Sequence, residues 1–253
     1  NKTPMWQTLL AVAFWVAVWQ GLAVCIGHNG LFLATPLQTV QTLWRLLPTA
    51  DFWHRVGFSA LRILTGFVLA VTVGLLLGAC GARWRWFGTL VGPVMQLIRA
   101  MPVASFVILA LLWVSGKNLS VIVSFTHVLP VVYAGTVGGI ADTDPALLEM
   151  AKVYRLPLGK RLRYIWLPGM FPSFCENCIA AMGMCWKSGV SAEVIGLPDH
   201  SVGDALYRAK ITISTPEVFA WTLVIVLLSA TLSTLAAWAL RRAKRALCGE
   251  VEG

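Results

Sequence analysis

Charged residues are scarce in this sequence of 253 residues. Lys, Arg, Asp and Glu together make up 12% of it, whereas hydrophobic residues make up 58%. A soluble domain carries roughly 25% charged residues, so this chain has too few polar side chains to cover its own surface. The composition therefore excludes an ordinary soluble globular protein and predicts a polytopic membrane protein with much of its surface in the lipid bilayer.

Motifs for several kinds of chemistry are also missing. No GxxxxGK[ST] phosphate-binding loop is present, because "SGKNLS" and "LGKRL" have neither the spacing nor the hydroxyl. No cofactor is therefore expected on this chain, and ATP chemistry must come from a partner. The histidines show no metal-ligand spacing, so no metal site is predicted; they are His28, His54, His127 and His200.

Two further features admit a functional and a structural interpretation. The net charge of +9 is better explained by cytoplasmic loops, which carry Lys and Arg in membrane proteins, than by nucleic acid, which is not expected as a partner. Cys175 and Cys178 have CxxC spacing, which is compatible with a redox or metal site. Without a second CxxC or a His pair, buried reduced cysteines are favoured.

Six apolar runs are long enough to be transmembrane helices, which need about 20 residues. They are Trp6–Ile26, Phe58–Cys80, Leu90–Val114, Leu119–Ile140, Met170–Val190 and Val218–Leu240. The runs show no sustained alternation, so strands are not expected. With the N-terminus in the cytoplasm, twelve Lys and Arg residues lie inside and five lie outside. Both termini are therefore predicted to be cytoplasmic.

A single transmembrane domain, 1–253, is expected. Its predicted parts are a first span and outer turn (1–34), an interfacial periplasmic segment (35–57), a core of five spans (58–242) with a cytoplasmic segment inside it (141–168), and a cytoplasmic tail (243–253). Apolar residues of 35–47 share one helical face, which indicates a short helix in the membrane interface. Residues 191–217 are predicted to be a loop with one short helix. Small-xxx-small pairs such as Gly74/Gly78, Gly88/Gly92 and Gly135/Gly139 are expected to serve close helix packing.

The basic segment "LLEMAKVYRLPLGKRLRYIWLP" (147–168) is predicted to form two short helices. Asp144 can cap the first helix, and Pro145 suits its first position. Pro157 breaks the helix because it lacks an amide donor, and Pro168 is expected to end the second helix. Such an element can present a rigid surface to a soluble partner. An ordinary basic loop at the membrane surface is equally compatible with the pattern alone.

This segment resembles the EAA loop of ABC-transporter permeases, which reads Glu-Ala-Ala, three residues, Gly, nine residues, Ile-x-Leu-Pro. The resemblance implies that the ATPase-coupling residues are Glu149, Met150, Ala151, Arg155, Pro157, Gly159, Ile165, Leu167 and Pro168. Met150 takes the middle position of the EAA triplet. Arg155 stands where the family has Gly, and Pro157 is expected to supply the bend instead.

The resemblance extends from about Thr35 to Arg242. The stretches 59–78, 93–113, 140–153 and 186–198 are similar to the nitrate/sulfonate/taurine branch of importer permeases, which also has members for bicarbonate and thiamine precursors. It implies a type I importer fold in the prokaryotic inner membrane. The implied partners are a second permease copy (a homodimer is expected), two cytoplasmic ATPases that bind ATP and Mg, and an extracytoplasmic substrate-binding protein. The EAA segment would then be the coupling helix that sits in a groove of the ATPase.

Four charged residues lie within or at the ends of the predicted spans: Arg62, Arg99, Lys187 and Glu193. Each costs roughly 2.5–3.5 kcal/mol at the centre of a span, so each is expected to face the protein interior. They are candidates for lining or gating a translocation path, with Lys187 on the path and Arg62 paired with Glu193. Ion pairing that only fixes helix packing, or snorkelling near a membrane face, is the alternative.

The function implied by the resemblance is inward transport of a small anionic or zwitterionic solute by ATP-driven alternating access. The alternatives are a permease for a neutral heterocycle such as a vitamin precursor, a membrane enzyme and a passive channel. No nucleophile–base pair or carboxylate cluster at a membrane face supports an enzyme, and a channel has no need of an EAA-like segment. The identity of the substrate does not follow from the sequence.

Overall fold

The computed structural model describes residues 5–26 and 33–248, and all regular structure in these ranges is helical. The helices are α1 (Met5–Ile26), α2 (Pro36–Leu46), α3 (Ala50–Arg83), α4 (Arg85–Ala100), α5 (Val103–Ala110), α6 (Gly116–Ala141), α7 (Pro145–Val153), α8 (Leu158–Arg161), α9 (Leu167–Gly196), α10 (Val202–Ile211) and α11 (Thr215–Cys248). A π-helical turn, Leu162–Trp166, joins α8 to α9. The all-α prediction is confirmed. Much of the predicted outer turn (27–32) and the end of the predicted tail (249–253) lie outside the described residues.

Helices α3, α6, α9 and α11 pack as a bundle whose centre is α6 and α9. Helices α3 and α6 run in the same direction, because Gly66 lies against Val121 and Gly78 lies against Thr136. A Cβ atom on Gly78 would lie 2.5 Å from Cβ of Thr136, so only glycine permits this approach. The predicted packing role is confirmed for Gly78; nothing lies within 4 Å of a Cβ placed on Gly92.

Helix α9 runs antiparallel to α6. The last residue of α9, Gly196, lies against Gly116 at the start of α6, and Met170 near the start of α9 lies against Gly139 near the end of α6. The bundle thus has two ends. The end that carries α7 and α8 is called the α7 end, and the end that carries α10 is called the α10 end.

Because α3 and α6 run in the same direction, the chain between them must travel back along the bundle. Helices α4 and α5 make this return and are bent by 102° relative to each other. Pro102 explains the bend, since proline disfavours helical backbone at the preceding residue, and Met101 is extended at ψ 128°. The predicted span Leu90–Val114 is therefore not one continuous helix.

By length and hydropathy, three described helices can cross a membrane: α3, α6 and α11 up to Ala243. The bent pair α4–α5 makes a fourth candidate. Helix α1 contains the shorter apolar stretch Leu10–Cys25, and α9 is long but carries Glu176, Lys187 and Glu193. The six-span count remains a prediction.

Several boundaries differ from the predicted ones. Helix α3 begins at Ala50, so the predicted boundary between 57 and 58 falls inside it. Helix α9 extends to Gly196, which places Glu193 within its last turn. The predicted interfacial helix is α2, and Thr35 caps it in a capping box with Gln38. The short helix predicted within 191–217 is α10.

Candidate coupling segment and buried polar cluster

The first predicted helix of the basic segment is α7. Oδ1 of Asp144 accepts a hydrogen bond from the backbone N–H of Ala146 at 2.8 Å, and Pro145 occupies the first helical position, as predicted. Ala151 is completely buried, whereas Glu149 and Met150 are exposed. Ala151 therefore anchors α7 on the bundle, and the other two residues of the EAA-like triplet face outward.

Helix α7 ends in a Schellman turn. The N–H of Leu156 donates to the carbonyl of Ala151 at 3.0 Å, and the N–H of Arg155 donates to the carbonyl of Lys152 at 3.1 Å. Arg155 has φ 48°, a conformation that costs L-residues other than glycine roughly 1–2 kcal/mol. The expectation that Pro157 supplies the bend is therefore wrong. The chain turns at Arg155, in the conformation that suits the glycine of the EAA pattern.

The side chain of Arg161 ties the two short helices together. Its Nη2 donates to the carbonyl of Ala151 at 3.0 Å, so that carbonyl accepts one bond from the turn and one from α8. Pro157 is extended, with ψ 151°, and directly precedes α8. Gly159 is exposed, with open space beside its Cα. The helix–turn–helix is thus fixed by hydrogen bonds and not only by its contacts with the bundle.

The second helix does not end at Pro168, which corrects the prediction. The N–H of Leu167 donates to the carbonyl of Leu162, five residues earlier, and the chain continues into α9. A π-turn just before Pro168 accommodates a residue that has no N–H for the normal helical bond. Ile165, within this turn, is buried. As a result, α8, the π-turn and α9 form one continuous helical rod from the α7 end to the α10 end.

Apolar side chains cover the outer face of the α7–α8 segment. Val153, Tyr154 and Leu158 are 78%, 74% and 83% exposed. Beside them, α8 and Arg83 border a groove of about 430 Å³. We call these three residues and the groove the coupling surface. Exposed apolar patches that are rimmed by polar residues mark protein interaction sites.

A buried carboxylate lies at the α10 end of the same helical rod. Glu193 is completely buried, and its Oε2 accepts hydrogen bonds from Oγ of Ser59 at 2.7 Å and from the N–H of Gly203 at 3.4 Å. The same Ser59 hydroxyl accepts a bond from the N–H of Val202 at 2.9 Å. The carboxylate thus joins α3 and α9 to the N-terminus of α10, where a negative charge is favourable. Oε1 is also buried, and the Ser120 hydroxyl lies near the carboxylate.

Arg62 lies close enough to Glu193 to interact electrostatically, but the two form no salt bridge. Its guanidinium stacks over the ring of Phe58, with Cζ 3.9 Å from the ring centroid, and its buried Nη1 has no hydrogen-bond partner. The predicted direct pair is therefore wrong in its geometry, because Ser59 occupies the position next to the carboxylate. The two charges still lie in one cluster, which we call the polar cluster: Ser59, Arg62, Glu193 and the first residues of α10.

An ion network next to the polar cluster was missed by the sequence reasoning. Nη1 of Arg55 lies 2.9 Å from Oδ2 of Asp204, and its Nε lies 2.6 Å from Oδ2 of Asp51. Arg208 completes the network at 2.8 Å from Asp204. One signal was available: the spacing Ser201-x-x-Asp204 is typical of a helix start. Ser201 indeed caps α10 through the N–H of Asp204 at 2.9 Å.

Two of the predicted membrane charges, Lys187 and Arg99, belong neither to the polar cluster nor to the ion network. Lys187 is exposed on α9, in a stripe whose other exposed residues are Glu176, Ala180, Met184 and Ser191. Arg99 is exposed in the last turn of α4, before the bend at Pro102. Neither side chain is buried within this chain, and their roles on a translocation path remain predictions.

The CxxC pair lies within α9. Cys175 and Cys178 are buried, and neither forms a disulfide. Their predicted burial is confirmed, and their reduced state remains a prediction.

Comparison with known proteins identifies the family to which the chain belongs. Residues 56–247 match the family described as binding-protein-dependent transport system inner membrane component. The candidate aliphatic sulfonates transport permease protein SsuC of Escherichia coli K12 is 29% identical over 224 residues, covering 85% of this chain and 84% of that protein.

Two further relatives cover even more of the chain. The nitrate import permease protein NrtB of Synechococcus elongatus is 23% identical over 93% of this chain and 88% of its own. The taurine transport system permease protein TauC of Escherichia coli K12 is 23% identical over 95% of this chain and 89% of its own. The chain therefore belongs to the family of binding-protein-dependent transport system inner membrane components and is a permease subunit of an ABC importer.

Proposed function

We propose that the coupling surface docks into a groove of a cytoplasmic ATPase and passes its motion to the membrane helices. The observation that carries this proposal is the hydrogen-bonded helix–turn–helix, which holds Val153, Tyr154 and Leu158 away from the bundle. Because α8 is continuous with α9, a displacement of the coupling surface reaches Glu193 through one helical rod. The polar cluster would then open or close against α10.

A charge reversal tests this proposal. Glu149→Arg places a positive charge on the exposed face of α7 and should abolish the stimulation of ATP hydrolysis by the loaded binding protein, while the permease still inserts. Asp199→Arg is the matched control, because Asp199 is exposed at the α10 end, and it should keep the ATPase bound. Normal stimulation in Glu149→Arg would contradict the coupling role.

We further propose that two copies of the permease face each other across the exposed stripe of α9. Helix α9 packs on five helices, which are α3, α5, α6, α10 and α11. It leaves a stripe with Glu176, Lys187 and Ser191 uncovered, and this stripe is poorly suited to contact lipid chains, since charged side chains are costly there. A water-filled path between two copies would hydrate these side chains. Lys187 would then supply positive charge to that path.

Lys187→Met tests the path. It should assemble with the ATPase normally and transport poorly, whereas Lys187→Arg, which keeps the charge, should retain most of the transport. Wild-type transport by Lys187→Met would show that the residue is not part of the path.

For the substrate we propose a small anion or zwitterion. The relatives above are named for sulfonates, nitrate and taurine, and each of these solutes carries a negatively charged oxygen group. Lys187 and Arg62 offer positive charge that fits such a solute. In a reconstituted complex, stimulation by a neutral heterocycle and not by any such anion would refute this proposal.

The orientation is also a proposal. The excess of Lys and Arg places the α7 end in the cytoplasm, and the α10 end then meets the binding protein. In a variant without native cysteines, a membrane-impermeant thiol reagent should label Cys at 117 and 200 from outside, but not Cys at 83 or 160. The reverse pattern would invert the topology.

A further inference from the structure

A groove of about 610 Å³ lies between α9 and α11 near the α7 end. Its lining includes Ile179 of α9 and, on α11, Ser233, Ala237, Trp238, Arg241 and Arg242. Neither the coupling surface nor the proposed path uses this groove.

The groove has a charged end and a largely apolar body. Arg241 and Arg242 are exposed at one end, and the guanidinium of Arg242 lies 5.6 Å from the centroid of the Trp238 ring. On an α-helix, Arg241 lies about 12 Å beyond Ser233, so the groove is long enough for both a headgroup and the first part of an acyl chain. Neither arginine forms a salt bridge within the described part of the chain.

The position of the groove fits the edge of a bilayer. Helix α11 is a candidate membrane span from Thr215 to Ala243, and only 6% of its most apolar window is buried within the chain. The two arginines therefore stand where this apolar helix ends, and tryptophan is enriched at that level of a membrane. Glu176 lies one helical turn before Ile179, but it is not part of the lining. Among the described residues, no carboxylate thus lines the groove.

We propose that this groove binds an anionic phospholipid. The phosphate lies between Arg241 and Arg242, which offer the planar donors that suit a phosphate, and an acyl chain runs along Trp238 and Ile179. Basic pockets between transmembrane helices bind acidic lipid headgroups in this way. A free phosphate ion would leave the apolar body of the groove unused.

Thermal unfolding of the purified permease with defined lipids tests the site. Phosphatidylglycerol should raise the unfolding midpoint more than phosphatidylcholine does, and soluble glycerol 3-phosphate should not raise it. The double variant Arg241→Gln/Arg242→Gln should lose most of the preference for phosphatidylglycerol. The control Arg85→Gln removes a charge at the same end, from an exposed residue outside both this groove and the coupling surface, and should keep the preference. Equal losses in the two variants would overturn the proposal.

A second measurement does not require the arginine variants to fold. Phosphatidylglycerol with brominated acyl chains should quench more tryptophan fluorescence in the wild type than in Trp238→Phe, and brominated phosphatidylcholine should show a smaller difference. No difference between the two lipids would refute a site for anionic lipid. The other possible occupant is a second permease copy. A disulfide between two copies of Ser233→Cys, formed in the native membrane, would show that protein and not lipid fills the groove.

Discussion

The two ends of the α8–α9 rod are built in opposite ways. At the α7 end, apolar side chains such as Tyr154 and Leu158 face outward and hydrogen bonds lie inside the turn. At the α10 end, the charged Glu193 is completely buried and is held by Ser59 and the first turn of α10. The first arrangement suits a surface that binds a partner, because covering exposed apolar area lowers the free energy. The second suits an internal contact that resists opening, because separating it leaves a buried charge without partners.

The difference indicates where each end can change. The coupling surface can gain or lose a partner without any loss of its own hydrogen bonds, since these are all local. The polar cluster joins residues that are 134 and 143 positions apart in the chain, so any separation of α3 from α9 breaks it. In the proposed mechanism, a movement that separates α3 from α9 would therefore have to break these hydrogen bonds.

The largest expected effect on stability comes from the polar cluster. Ser59→Ala removes a hydrogen bond to a charged group and leaves the N–H of Val202 without a partner, which should lower the free energy of unfolding by about 3 kcal/mol. The control is Ser188→Ala, because the Ser188 hydroxyl is also buried but donates to the carbonyl of Cys185 within its own helix, and it should change stability by less than about 1 kcal/mol. Thermal unfolding in detergent measures both. Similar losses in the two variants would mean that the Ser59–Glu193 bond contributes little.

A smaller effect is expected for Arg62 and Glu193, which interact electrostatically but form no salt bridge. In a double-mutant cycle, Arg62→Gln and Glu193→Gln should show a coupling energy of about 1 kcal/mol. This is less than the coupling of Ser59 with Glu193, since only the latter pair shares a hydrogen bond. The cycle uses the same unfolding assay. Zero coupling would remove Arg62 from the polar cluster, and a coupling above that of Ser59 would restore the direct pair.

The smallest expected effect lies in the turn at the α7 end. Arg155→Gly removes the energetic cost of the left-handed backbone but also increases the conformational entropy of the unfolded chain. The first effect is larger, so a net stabilisation of about 0.5–1 kcal/mol is expected. Tyr154→Gly is the control, because Tyr154 has φ −80° and gains nothing from glycine; this variant should be destabilised. Proteolysis of the turn and thermal unfolding report on both. Destabilisation by Arg155→Gly would mean that the arginine side chain supports the turn.

Much of the coupling surface could be predicted from local sequence. The cap at Asp144, the first-turn Pro145 and the EAA-like spacing describe contacts between near neighbours, and α7 follows from them. The turn at Arg155 could not be predicted, because arginine rarely adopts a positive φ and its presence therefore gives no sign of a left-handed turn. The π-turn before Pro168 was missed for a related reason: a proline in the first turn of a helix and a proline that ends one look alike in the sequence.

The polar cluster shows where local reasoning stops. Glu193 was singled out because a charge in an apolar stretch is costly, and that part of the reasoning holds. Its partner Ser59 could not be identified, since a serine within a transmembrane run is common and the bond depends on how α3 packs against α9. The bend at Pro102 was predictable in principle. It was missed because the mean hydropathy of Leu90–Val114 is high whether or not a proline interrupts the helix.

Site-specific crosslinking in the assembled transporter shows directly whether the coupling surface contacts the ATPase. A photoreactive amino acid is placed at 153, 154 or 158 in the coupling surface, and at 211 or 213 as controls, because Ile211 and Ile213 are exposed apolar residues at the α10 end. If the coupling surface docks on the ATPase, crosslinks to the ATPase form from 153, 154 and 158 and none form from 211 or 213. Crosslinks to the ATPase from the α10 end, or none from the coupling surface in a complex that hydrolyses ATP, would contradict this docking.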